Sequence, residues 1–199
     1  TTISSSGSDV TLSNTSNNFG GAVGVTGVDV TLVDANAIDL GASTIGTTAT
    51  PGNYTVTAGG GITDSGVLTI TGTSTFTAAG GQSILLAESS TFVDAVTFAS
   101  GGTLAGVSIT DSTDFILKEL TLSGNLVVVS GGSISQDPAF GGGVLTIGGT
   151  SSFTTSTSNE DITLDFFTTN AFTRAVTLNT TGLTGHAKVD GGTTKLDIA

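Results

Sequence analysis

Cysteine is absent from these 199 residues, which removes disulfides and thiolate metal sites as sources of stability or chemistry. Methionine is absent too, even at position 1, so the sequence reads as a processed product or part of something longer. Tryptophan is missing and there is a single tyrosine beside ten phenylalanines. Clefts that bind sugars typically expose aromatic platforms, and this inventory argues against one. Lys and Arg number only 4 against 16 Asp and Glu, giving a net charge of −12. Nucleic acid needs Lys and Arg to displace phosphate counterions, so it is an unsuitable partner, as is an anionic membrane surface. No apolar run approaches the roughly 18 residues of a membrane span, so no membrane insertion is expected. No basic-then-apolar secretion signal is present either, and an export signal, if there was one, has been removed. Charged residues are 10% of the chain, well under the roughly 25% of ordinary globular domains. Solubility must rest on Thr, Ser and Asn.

Against these absences stands a hydrophobic fraction of 37% and a mean hydropathy of +0.35. Such a chain buries a sizeable core, which excludes a disordered tract despite the 30 glycines. Its most informative positive feature is repetition. Phe19-Gly-Gly-Ala22-Val23-Gly-Val25 returns as Phe92-Val-Asp-Ala95-Val96-Thr-Phe98 and as Phe172-Thr-Arg-Ala175-Val176-Thr-Leu178. Gly52-Asn53-Tyr54 matches Gly124-Asn125-Leu126, Ile62 matches Ile134, and Val67-Leu-Thr-Ile70 matches Val144-Leu-Thr-Ile147. Three long units follow, about 8–82, 83–158 and a partial 159–199, within one continuous domain, 1–199. Insertions fall at Thr47–Pro51 and around Gln136–Gly143, both loops by composition. A long internal period of this kind points to a solenoid.

Within each unit, apolar pairs recur every seven or eight residues: Val23/Val25, Val30/Leu32, Ile38/Leu40, Tyr54/Val56, Leu68/Ile70. Thr or Ser fills the intervening positions, and Gly, Asn, Asp and Ser separate the pairs. Period-two alternation with β-branched enrichment predicts short strands, and no stretch shows a helical period. The expected fold is all-β, a three-faced parallel β-helix of about nine short-stranded rungs. Roughly 20 to 25 residues would fill a rung, and adjacent strands roughly 4.8 Å apart make a rod about 40 Å long. A β-sandwich is the alternative, but its strands are usually longer and it needs no long repeat. Neither end shows a polar cap, so the chain is expected to be a slice of a longer array or to stack end to end.

Asn17-Asn18-Phe19-Gly-Gly-Ala22-Val23, then Val30-Thr-Leu32 and Asp34-Ala-Asn36-Ala-Ile38-Asp-Leu40, resembles the repeat region of filamentous-haemagglutinin-type bacterial exoproteins. Leu122-Ser-Gly124-Asn125-Leu126 is similar in manner, and the resemblance covers most of the chain. It implies a right-handed parallel β-helix, secretion or surface display, and roles in adhesion and biofilm matrix.

Candidate chemistry is sparse. His186 lies in the turn-like Thr184-Gly185-His186-Ala187, and Arg174 takes a place held by Gly21 and Asp94 in the other copies. Both read as solvated. Carboxylate groups for glycoside hydrolysis are Asp111/Asp114, Asp34/Asp39 and Glu160/Asp161/Asp165, a reaction that needs two acids at a defined separation. Calcium is the more plausible cofactor, with Asp64, Asp111, Asp114 and Asp137 near turns, although no known loop motif is present. Thr-x-Thr pairs such as Thr75/Thr77 and Thr71/Thr73 suggest an ice-ordering face, but their rung spacing looks irregular. No catalytic, cofactor-binding or metal residue is assigned, and the chain is not expected to be an enzyme. The expected role is the shaft of an extracellular or cell-surface fibre or adhesin, associating with itself end to end. The alternative is a module that binds a carbohydrate or host surface, favoured if Phe19, Phe92 or Tyr54 lies exposed beside Asp residues.

Overall fold

Alternation in the sequence becomes alternation in space. In Val30–Asp34, Tyr54–Ala58, Ser74–Ala78 and Leu126–Ser130, every second residue is buried and the residues between face outward. The computed structural model describes residues 1–5, 7–138 and 143–192. Among them there is no helix, and the strands pair in parallel from one turn to the next. A sandwich is thereby excluded. An isolated antiparallel bridge, Gly46 to Pro51, closes the Thr47–Pro51 insertion, which projects at a corner. The second insertion lies partly outside the described residues, at 139–142, and the C-terminal Lys195–Ala199 lies wholly outside them.

The coil has three sides at any level. The first face runs the whole length, from Val10–Leu12 through Val30–Asp34, Tyr54–Ala58, Ser74–Ala78, Val96–Ser100, Phe115–Leu117, Ile134–Gln136 and Ile162–Leu164 to Ala187–Val189. Its nine strands enclose about eight turns. A second face carries Ile38–Leu40, Ile62–Asp64, the start of Ser83–Phe92, Gly106–Asp111, Leu126–Ser130, Ser151–Ser158 and Val176–Thr181. The third face changes midway. In the N-terminal half it comprises Thr2–Ser4, Gly24–Gly27, Ser43–Ile45, Leu68–Ile70 and the end of Ser83–Phe92. In the C-terminal half it gives way to Leu120–Leu122, Leu145–Ile147 and Ala171–Phe172 on another side. The strand Ser83–Phe92 makes this transition: it turns the corner between two faces, with a register shift between Leu86 and Ser90.

Turn length is not constant. Phe115 pairs with Ile134, 19 residues on, whereas Ile134 pairs with Ile162, 28 residues on. The long sequence repeat is therefore not a whole number of turns. Tyr54 lies on the first face and its sequence counterpart Leu126 on the second, while Ile62 and Ile134 exchange faces the other way. Each copy is rotated about the axis relative to the one before.

Inside, equivalent residues stack. Leu12, Leu32, Val56, Phe76 and Phe98 form one column, and Ile38, Ile62, Ile84, Val107 and Leu126 another. Phe76 is the aromatic centre, edge-on to Tyr54 at 6.0 Å and Phe92 at 6.2 Å, and stacked on Phe98 at 6.3 Å. Aromatic pairs at such separations add to the burial of their area. Phe76→Ala should cost about 3–5 kcal/mol, because the stacked turns above and below restrict collapse into the cavity. Denaturant unfolding would measure it, with Phe166→Ala as the exposed comparison near zero.

Candidate functional site

Two of the acidic residues that sequence reading offers for chemistry, Asp114 and Asp161, sit at corners of the first face and share one job with Asp9 and Asp29. Immediately before six of the nine strands of the first face comes a polar residue that accepts a backbone N–H from its equivalent one turn on. Asp9 Oδ1 accepts the N–H of Asp29 (3.1 Å), Asp29 Oδ1 that of Asn53 (2.8 Å), and Asn53 Oδ1 that of Thr73 (3.0 Å). The series breaks at Ala95, whose N–H goes to Asp94 instead (2.7 Å). It resumes with Asp114 accepting from Ser133 (2.8 Å), Ser133 Oγ from Asp161 (3.1 Å), and Asp161 from His186 (2.7 Å). Backbone bonds run the opposite way beside it, as from Val30 N–H to Asn53 C=O and from Ile134 N–H to Asp161 C=O. At these six positions the corner is thus clamped by a reciprocal pair. This gives acids in turns a role between turns, rather than the usual bond to their own backbone.

The matched Gly52-Asn53 and Gly124-Asn125 are a version of this clamp at two different corners. A Cβ on either glycine would overlap a carbonyl oxygen of the preceding turn, that of Val28 or Ala105. Asn125 Oδ1 accepts the Thr150 N–H at 2.9 Å, as Asn53 serves Thr73. Repetition in the sequence therefore marks close packing between turns.

The proposed carboxylate groups do not face one another. Asp34 is buried, with Oδ1 accepting from Asn36 N–H (3.0 Å) and Oδ2 from Phe19 N–H (3.1 Å). Asp39 lies on the next face and accepts the Ser65 hydroxyl. Asp111 is 2% exposed, whereas Asp114 is solvent-facing. Glu160 takes the Ser133 hydroxyl (2.7 Å), Asp161 the His186 amide, and Asp165 is exposed. His186 Nδ1 lies 3.5 Å from Asp161 Oδ1 with both side chains largely in solvent, and Arg174 is exposed. Of the calcium candidates, Asp64 accepts the Ala87 N–H (2.7 Å) and Asp137 lies 3.7 Å from Lys118 Nζ. Burial raises the Asp64 carboxyl, and the Ala87 and Glu88 amides oppose it. Among the described residues, no three acidic or histidine side chains gather as a metal site would require.

The aromatic test also has an answer. Tyr54 and Phe92 are buried and Phe19 is half-buried against the core, so none offers an exposed platform. Burial pushes the Tyr54 phenol far up. Two shallow grooves, one along Ser5, Thr26 and Thr44 and one along Ser83, Leu85 and Val127, hold no ionisable side chain.

Two arrangements were not legible from residue types. Gln136 and Asn170 form a buried polar pair: Gln136 Nε2 donates to Asn170 Oδ1 (2.9 Å), which also accepts the Leu145 N–H (3.0 Å). The second corrects the reading of the threonines as irregular. Thr11, Thr31, Thr55, Thr75 and Thr97 stand in register on the first face, with Thr57 beside Thr77 two residues along. Thr26, Thr44, Thr69 and Thr91 form a further outward column on the third face. Thr71 and Thr73 belong to corners, so counting along the sequence mixed two environments.

Comparison places this architecture. The family described as repeats of unknown function (DUF5649) matches residues 1–26, 27–99 and 104–179. The chain belongs to the DUF5649 repeat family. No curated protein and no solved structure matches it. In this DUF5649 chain the recurring polar elements are its clamped corners and its hydroxyl-bearing faces. Asn53→Ala removes the acceptor for the Thr73 amide and hydroxyl and should cost about 1 kcal/mol by thermal or denaturant unfolding. Arg174→Ala, at a solvated position, should change stability by less than about 0.5 kcal/mol.

Proposed function

We propose that this chain is a structural rod, a segment of the shaft of an extracellular or cell-surface fibre or adhesin. The observation that carries the reading is the continuous nine-stranded face over an unbroken apolar core. A parallel coil of this kind extends by adding turns, each pairing with the last through the same backbone bonds. Reach and stiffness then scale with turn number, and eight intervals at roughly 4.8 Å give about 40 Å. Stability without cysteine suits an exported protein that relies on ladder hydrogen bonds. The resemblance to filamentous-haemagglutinin-type repeats supports bacterial surface display, adhesion and biofilm matrix. On this reading the chain is not an enzyme, and it has no nucleic-acid partner and no membrane insertion. Its partner is itself, through end-to-end stacking or continuity within a longer array.

Electron microscopy of the native material tests the proposal. Thin rods or fibres with an axial repeat near the length of this coil are expected. Compact monomeric particles at high concentration, from native material, would count against it.

A second reading, a water-ordering face, is favoured by the in-register threonines on the first face. Strand spacing of roughly 4.8 Å and a two-residue repeat of roughly 6.7 Å make a regular hydroxyl and methyl lattice there. Thermal hysteresis and ice-recrystallisation assays decide it. Activity abolished by Thr55→Tyr with the fold intact supports this reading, and no activity at high concentration sinks it.

A further inference from the structure

One buried acid serves neither the corner clamps nor any surface. Asp111 ends the strand Gly106–Asp111, at the corner where the third face of the N-terminal half gives out. It stands in register between Ser90 below and Ser130 above, with Thr155 next, and all four residues are buried. Its Oδ1 accepts three bonds, from the amides of Phe92 (3.3 Å) and Thr113 (3.1 Å) and from the Thr113 hydroxyl (3.0 Å). Its Oδ2 is buried with no hydrogen-bond partner. Asp34 is as deeply buried but has a donor for each oxygen.

Among the described residues, no cation is paired with Asp111. The ionisable groups on the elements packed against it are Glu88 on the strand below, Asp94 after that strand, and Asp114 after its own strand. All three are acids and exposed, and Leu126–Ser130 above carries none. The ion pairs found among the described residues, Lys118–Asp137 and His186–Asp161, involve neither Asp111 nor its neighbours in the column.

We infer that Asp111 is a pH-set latch in the middle of the coil, holding the turn where the cross-section changes while it carries its proton and loosening that turn when it ionises. Burial raises the Asp111 carboxyl, against the opposing pull of its Thr113 and Phe92 bonds. A carboxyl raised in the folded state contributes its full stability below the unfolded value, about 3.9, and loses it as pH climbs through the folded value. Each unit of elevation is a factor of about ten in the folding equilibrium. The loss falls at this corner, because the ionised Oδ2 has no donor there and gains one from water only if the turn carrying Phe92 and Thr113 opens.

The test is thermal unfolding of the whole chain across pH 4–9, wild type against Asp111→Asn. Asp64 also contributes to the wild-type profile, so the difference between the two proteins is the quantity to read. The expected result is a wild-type midpoint that falls relative to Asp111→Asn as pH rises above the ordinary carboxylate range. Parallel profiles would overturn the inference. Should Asp111→Asn not fold, carbon-13 NMR titration of the Asp111 carboxyl in the wild type decides: a midpoint above the ordinary aspartate value supports the latch, and one at or below it overturns the latch. Amide exchange at Phe92 and Thr113 in the same samples should lose protection through that midpoint, and unchanged protection counts against the latch.

Discussion

Everything in this molecule depends on the parallel, in-register bond between one turn and the next. It fixes the spacing, makes equivalent residues stack, and lets a chain with few charges and no cross-links hold a long core. A single turn has no interior of its own. It acquires one only by lying on its neighbour, which is why the buried residues form columns along the axis rather than a globular cluster. The side-chain clamps at the corners follow from the same constraint. Where the backbone bends, strand pairing stops, and Asp, Asn and Ser side chains supply the acceptors that the ladder no longer provides.

Much of this architecture was legible in the sequence because it rests on period and composition. Apolar pairs at Val30/Leu32 and Tyr54/Val56 fall on strands, and Thr47–Pro51 leaves the coil at a corner. The change of face at Ser83–Phe92 was not legible. A strand that rounds a corner differs from two short strands only in its backbone path, and Ala87-Glu88-Ser89 carries neither Gly nor Pro. The site-level reading separated along similar lines. His186 and Arg174 are solvated, as their contexts suggested. The acids were harder, because an Asp at a strand boundary is the same letter whether it clamps a corner, as Asp29 does, or is buried, as Asp111 is. Only the register between turns, set by insertions far away in the sequence, separates those cases. The threonine columns escaped notice for the same reason.

A fold of this type disperses its chemistry. Most polar residues are spent on corners and on outward faces, and among the described residues no three acids gather in one place. Membership of the DUF5649 family sets these features within a repeat design. The aromatic residues illustrate the allocation: Tyr54, Phe76, Phe92, Phe115, Phe153 and Phe172 are all inside, filling the coil at successive levels.

The mismatch between the long sequence repeat and the length of a turn bears on how the chain finds its shape. In a tandem protein, similar segments compete for the same neighbour, and a slip by one copy is the natural error. Here Leu126 is the sequence twin of Tyr54, yet it points along a different side of the coil. A slipped copy would arrive rotated, its corner clamps facing the wrong edge and its glycines no longer beneath the carbonyls they make room for. The repeat thus carries its own proofreading: near-identical segments are kept from substituting for one another by the angle at which each must be laid down.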